Sequence, residues 1–257
     1  MKLLVALALV SACTKKPACE VTTTAPTPAS ARRVTFAAKD GVTVTAELYA
    51  PLPETAPFIV LFHQAGYSRG EYRTIAPRLN QLGFNAMAVD ARSGQATQGV
   101  GNETAAAACR LGKPTAYVDA IADLEAAVTE ARTHARGKLV VWGSSYSSAL
   151  VLVLGTELHA DGVIAFSPGE YFEDQGKPKT WVAEQAKSLQ VPVFITSAHD
   201  EGDAWAPIAA AIDPALVTTF LPATEGHHGS SALLPAQPDA DAYWKALAPF
   251  LDKFRAP

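Results

Sequence analysis

The sequence predicts an α/β fold: a mostly parallel central sheet with helices on both faces and an antiparallel hairpin at its N-terminal side. Two observations carry that expectation. From residue 58 onward, short apolar runs alternate with helix-patterned segments, the order that lays parallel strands side by side with helices packed over them. Several of the runs are apolar at every position, as strands covered on both faces require.

Taken in order, RVTFAAKDGVTVTAELYAP (33–51) reads as two short strands around a Lys39-Asp40-Gly41 turn. Phe58–Phe62 is a buried strand ending in His63-Gln64-Ala65-Gly66, and 71–82 carries helical spacing that Gly83 stops. Residues 84–89 supply a strand ending at Asp90, and 91–114 form a long glycine-containing connection with a short helix near 103–110. The clearest helix is 117–136, where Val118, Ile121, Leu124 and Val128 recur near helical spacing. Strands follow at 138–142, 162–166, 191–196 and 217–221, with helices at 146–154, 180–189, 204–212 and 240–254. There is no internal repeat and no separate second domain, so 32–257 is expected to be one folded unit.

Composition narrows the partners. The 257 residues hold 21 Lys plus Arg against 25 Asp plus Glu. No basic run interleaved with aromatics is present, so a nucleic-acid surface is not expected. The N-terminus, MKLLVALALVSAC, pairs one charge at Lys2 with an apolar run of eight residues from Leu3 to Val10. That is too short to span a bilayer and reads as an export signal over 1–12. Val10-Ser11-Ala12-Cys13 resembles the bacterial lipoprotein box, which implies lipid on Cys13 and a membrane anchor. Residues 13–31, rich in Pro, Thr and Ala, read as a tether. The expected location is the bacterial cell envelope, and Thr14 is compatible with the outer membrane. Without lipidation, the chain would be periplasmic or secreted. If Cys13 carries lipid, Cys19 and Cys109 form the one intramolecular pair available.

The chemistry concentrates at strand ends. Trp142-Gly143-Ser144-Ser145-Tyr146-Ser147 lies between a strand and a helix, the setting of a nucleophile elbow, with Ser145 as nucleophile. Ser147 stands where the pattern usually has a second glycine. A serine needs a base and an orienting acid. Ser197-Ala198-His199-Asp200-Glu201-Gly202-Asp203 and Glu225-Gly226-His227-His228-Gly229 follow later strands. Ser145, Asp200 and His228 thus come in nucleophile, acid, base order, with Asp203 and His227 as alternatives.

On these motifs, the stretch from Arg33 to Phe254 resembles the α/β-hydrolase superfamily, particularly its dienelactone-hydrolase-like branch. The resemblance implies Asp200 as the acid, His228 in a His-Gly pair as the base, and 63–66 with 68–72 as the oxyanion loop. The oxyanion donors would be the backbone N–H of Tyr146 and of Gln64 or Ala65, with His63 bracing the turn. A serine in place of that branch's namesake cysteine shifts the expectation to carboxylesters of small or medium size. Amidase or peptidase chemistry on the same residues is an alternative, as is a non-catalytic envelope binding protein.

Ser145 and Asp200 also have plainer readings, as a helix cap and a solvated turn carboxylate, and Ser144 is the nearer capping candidate. Tyr67 is a candidate substrate wall, with Tyr72, Trp142, Tyr171 and Phe172 as weaker ones. Arg69 would either attract a substrate carboxylate or pair with Glu71. His63, His199 and His227 match no tight zinc-ligand spacing. Neither a metal nor an organic cofactor is required, and no obligate protein partner is implied.

Overall fold

The structure, a computed structural model, describes residues 19–255. The expected signal (1–12) and Cys13 lie outside the described residues. Eight strands form one mixed sheet: β1 (Arg32–Ala37), β2 (Thr43–Tyr49), β3 (Phe58–Phe62), β4 (Asn85–Val89), β7 (Leu139–Ser144), β8 (Gly162–Phe166), β9 (Val193–Thr196) and β10 (Val217–Phe220). Their spatial order is β1-β2-β4-β3-β7-β8-β9-β10. The β1–β2 and β2–β4 pairs are antiparallel and the rest are parallel. A two-stranded ribbon, β5 (Ala96–Thr97) and β6 (Val100–Gly101), stands apart inside the long connection.

The continuous apolar runs are explained by the two cores they serve. Phe58, Val60 and Phe62 of β3 face a core that includes α3 (Ile121–His134), α4 (Tyr146–Leu154), α5 (Trp181–Ala186) and α6 (Gly202–Ala211). Ile59 and Leu61 face the other, closed by α1 (Ile75–Gln81) and α7 (Ala240–Arg255). Successive side chains point to opposite faces, so a strand covered on both sides must be apolar at every position.

Two expected helices begin later than their patterns suggest. Residues Arg69–Tyr72 form a separate 3₁₀ turn, capped by the Ser68 hydroxyl accepting the Gly70 N–H, before α1 starts at Ile75. The segment expected to be helical from 117 opens with a 3₁₀ turn over Tyr117–Ala120. In the long connection, the short helix is α2 (Glu103–Arg110), capped by the Asn102 side chain accepting the Ala105 N–H at 2.8 Å.

The stretch read as a tether is, over its described part, held against the body. The N–H groups of Thr24 and Ala25 donate to Gly99 O at 2.8 and 3.0 Å. Gly101 N–H donates to Thr23 Oγ1 at 3.1 Å, and Cys19 is disulfide-bonded to Cys109 on α2. Composition registers the lack of apolar side chains in this stretch; it does not register backbone groups that pair with a glycine loop far along the chain.

Candidate active site

Ser145 sits directly after β7 and before α4 with φ 57° and ψ −123°, a backbone conformation costly for any residue with a side chain. Its neighbours hold it there. Ser145 N–H donates to Phe166 O at 2.8 Å, and Ser145 O accepts the Ser148 hydroxyl at 2.6 Å. A Cβ on Gly143 would stand 2.4 Å from the Ser147 backbone, so the turn closes only with glycine at that position. Ser147, in place of the second glycine, stabilises the same turn: its Oγ accepts Ser144 N–H at 2.9 Å and donates to Phe62 O at 2.8 Å.

His228 lies on the loop after β10, and that loop is stitched to the elbow. Ser230 N–H donates to Ser144 Oγ at 2.8 Å, and Trp142 Nε1–H donates to Ser230 Oγ at 2.8 Å. Gly229, at φ 68°, leaves no room for a side chain because a Cβ would meet Ser144 Oγ and Gln64 Oε1 at 2.5 Å each.

The carboxylate on His228 is that of Glu201, not Asp200. Glu201 Oε1 bonds to His228 Nδ1, while Oε2 accepts the Ser167 hydroxyl at 2.6 Å and Ala198 N–H at 3.2 Å. Asp200 and Asp203 are exposed. The reason is local: His199–Glu201 is a 3₁₀ turn, so consecutive side chains leave it about 120° apart, and the Ala198 amide fixes which one turns inward. His227 sits beside the pair, with its N–H donating to the Tyr243 hydroxyl at 3.2 Å.

The electrostatics follow from this pairing. The hydrogen bond to Glu201 raises His228 above the ordinary imidazole value against the opposing effect of burial, and the charges of Glu201, Glu71 and Asp200 add to it. Burial alone would raise Glu201, yet the bonds from His228 and Ser167 outweigh it and hold the carboxyl below its usual range. With Nδ1–H donated to Glu201, the imidazole keeps Nε2 as its acceptor nitrogen.

The oxyanion loop needs one correction. Gln64 N–H is not free, because it donates to Glu71 Oε2 at 3.0 Å. The next amide, that of Ala65, meets no acceptor among the described residues. Tyr146 N–H occupies the first position of α4, where a helix has no internal partner for it. His63 is fully buried and braces this loop. Its Nδ1 bonds Gln64 O at 2.8 Å, its Nε2 accepts Ala91 N–H at 2.9 Å, and burial lowers its pKa to about 4, so it is a neutral strut.

Other expected contacts resolve differently. Arg69 pairs with neither Glu71 nor solvent; it is buried against Asp90 Oδ2 at 2.5 Å and Glu103 Oε1 at 2.9 Å. Trp142, Tyr72 and Phe172 are core residues. Tyr171 donates its hydroxyl to Ser167 O at 2.8 Å. Tyr67 is half-buried, and its carbonyl anchors Gln95 N–H at 3.0 Å. The nearby cleft, about 330 Å³, is instead walled by Tyr117, Ser93 and Cys109 beside Ala65 and Gly66. Tyr117 stacks on Tyr146 with ring centroids 4.6 Å apart.

Sequence reasoning passed over Glu201 and Ser167, and it paired Glu71 with Arg69 rather than with the Gln64 amide and the Ser144 hydroxyl. Ser167 follows β8 at φ 57°, and its place at a strand's carboxyl end was the signal available. Its hydroxyl joins Gly229 N–H (2.9 Å) to Glu201.

Comparison with known proteins agrees with this fold. Residues 53–204, more than half the chain, match the family model Hydrolase_4, described as serine aminopeptidase, S33. Comparison with curated protein sequences returned no match. Among solved structures, the chain is similar to an esterase of Pyrococcus furiosus at 17% identity and TM-score 0.64, covering 88% of this chain and 93% of that one. A dienelactone hydrolase of Anabaena variabilis aligns at 14% identity and TM-score 0.62, over 88% and 100% of the two chains. An α/β serine hydrolase without a lid from Xanthomonas campestris aligns at 15% identity and TM-score 0.60, over 90% and 98%.

Proposed function

The chain belongs to the serine aminopeptidase S33 family of hydrolases, and on that premise we propose that it cleaves a carboxylic ester of small or medium size through an acyl-enzyme on Ser145. The observation that carries this reading is the Glu201–His228 pair, held by the loop that is stitched to the strained Ser145 turn. His228 Nε2 takes the Ser145 proton as Oγ attacks the ester carbonyl. The backbone N–H groups of Tyr146 and Ala65 receive the charge that develops on the carbonyl oxygen. His228 then protonates the leaving alcohol, water repeats the addition, and the acid is released. Glu201 keeps the imidazole in the tautomer that leaves Nε2 unprotonated and stabilises the imidazolium once it forms.

Reaction with a fluorophosphonate, compared between the wild type and Ser145→Ala, tests the reading. Ser145-dependent labelling of folded protein is expected, and its absence would refute the proposal. The family description supports a second reading, an aminopeptidase on the same residues. Turnover of aryl esters beside aminoacyl-anilides separates the two, with ester turnover expected to dominate.

The lipid anchor on Cys13 belongs to the same proposal, with export over residues 1–12. The Cys19–Cys109 disulfide supports it, since such bonds persist in oxidising compartments outside the cytosol. Incorporation of labelled fatty acid that is lost in Cys13→Ser checks the anchor.

A further inference from the structure

Four acids are buried among the described residues and unused by this mechanism; Glu47, Asp90 and Asp123 face the buried Arg69 or Arg92, and Glu71 has no such partner. Glu71 is completely buried, and its partners are neutral donors: Gln64 N–H at 3.0 Å on Oε2, with the Ser144 hydroxyl at 2.9 Å and the Ser231 hydroxyl at 3.4 Å on Oε1. The nearby Arg69 is committed to Asp90 and Glu103. A carboxylate buried without a countercharge is expensive, and such groups tend to mark functional sites.

The three donors belong to three different catalytic segments. Gln64 belongs to the oxyanion loop, Ser144 precedes the nucleophile, and Ser231 follows the His228 loop. Ser144 Oγ in turn accepts Ser230 N–H at 2.8 Å, which closes the ring of contacts. Engaging Gln64 N–H takes that amide away as an oxyanion donor and leaves the next one, Ala65 N–H, whose own peptide is held through Gln64 O by His63 Nδ1 and Tyr67 N–H.

We propose that Glu71 is a positioning residue of this site: it bonds to the oxyanion loop, the nucleophile turn and the histidine loop at once and holds them in mutual register. The inference rests on the serine-hydrolase reading. Its effect falls on the transition state, since the oxyanion exists only there, so it acts on kcat rather than on substrate binding. The charge of Glu71 is also felt by His228, whose imidazolium it favours. The other titratable groups facing Glu71 are the phenols of Tyr72 and Tyr146. Glu201 and Asp200 also act on His228, from its other neighbours.

The test is Glu71→Gln, which keeps the shape but places an NH₂ where one donor already points. The wild type is assayed in parallel on an aryl ester. If wild type fails to hydrolyse or to label, the serine-hydrolase reading itself fails. If wild type is active, the expected result for Glu71→Gln is a fall in kcat of roughly 10²-fold, the usual size for a catalytic group displaced by about 1 Å. KM should hold within about twofold, and the acidic limb of kcat/KM should move to lower pH as the charge beside His228 is removed. Glu71→Asp, which restores the charge, should return that limb toward the wild-type position. An unchanged kcat, or a loss carried entirely by KM, would overturn the inference. Should Glu71→Gln not fold, Ser144→Ala removes one of the three bonds: a smaller fall in kcat at constant KM supports the proposal, and wild-type kcat refutes it.

Discussion

Glu71→Gln should make stability less sensitive to pH, and the size of the effect follows from the burial of the carboxyl. In the folded protein, burial raises Glu71 from 4.5 to about 7 against the hydrogen bonds that favour its charge. Below pH 4.5, the group is protonated in both folded and unfolded chains and costs nothing. As pH rises, the unfolded chain releases its proton first, so stability falls until the folded carboxyl also ionises near 7, and the loss is then complete. At about 1.36 kcal/mol per pH unit, the gap corresponds to about 3 kcal/mol between pH 4 and pH 9. For a domain of this size, that is roughly 6–12 °C in Tm. The variant cannot make this transition. Urea unfolding of wild type and Glu71→Gln at both pH values isolates the effect, because bonds lost at every pH cancel in the difference of differences. Wild type should lose about 3 kcal/mol more than the variant between the two pH values. Parallel stability curves would refute the reasoning, since they would mean that the carboxyl ionises as easily inside the protein as outside it.

The remaining expectations concern the pair on the imidazole and the N-terminal staple. Glu201→Gln should lower kcat on the order of 10³–10⁴-fold, whereas Asp200→Asn should leave it within about threefold; steady-state kinetics on an aryl ester decides which carboxylate orients the base. Because Glu201 raises His228, the acidic limb of kcat/KM in wild type should lie above the ordinary imidazole value and move down in Glu201→Gln, measured as a pH–rate profile. The disulfide closes a separation of 90 residues, so the Cys19→Ser, Cys109→Ser double variant should lose about 2–4 kcal/mol in urea unfolding. Wild-type midpoints in the variant would show that the bond does not form.

The fold was legible because burial on both faces leaves a strong mark. A strand such as Phe58–Phe62 has no polar position to spare, and the helices between strands are spaced by glycines such as Gly83 and Gly137. Ser145 was legible for a related reason: the strand, the tight turn and the helix each leave their own pattern, and the three coincide at one serine. His228 was read from the glycine after it, and the structure shows what that glycine does, since Gly229 passes between Ser144 and Gln64 where no Cβ fits. The docking of residues 19–26 left no such mark, because it rests largely on backbone amides meeting Gly99 O.

The carboxylate on His228 stands one position beyond the expected Asp200, and the reason lies in how a carboxylate is selected. A motif read along the chain treats Asp200 and Glu201 as near neighbours, but on a 3₁₀ turn they leave the backbone in different directions. Three contacts decide between them, one within the turn and two remote in sequence. Ala198 N–H draws the Glu201 carboxylate back across its own turn, the Ser167 hydroxyl caps its second oxygen, and His228 takes the first. Ser167 is itself held in place by Gly229 N–H, from the residue that follows the histidine. Choice of carboxylate and placement of the imidazole are therefore one event: the loop that delivers His228 also orients the serine that caps Glu201. The same logic governs Glu71 on the other side of the site, where Gln64, Ser144 and Ser231 converge from three strand ends. Each carboxylate also takes partners that become neighbours only when the sheet has formed: Ser167 and His228 for Glu201, Ser144 and Ser231 for Glu71. Local spacing can therefore find the serine of the tight turn, whereas the placement of the two carboxylates around it is settled largely by tertiary contacts.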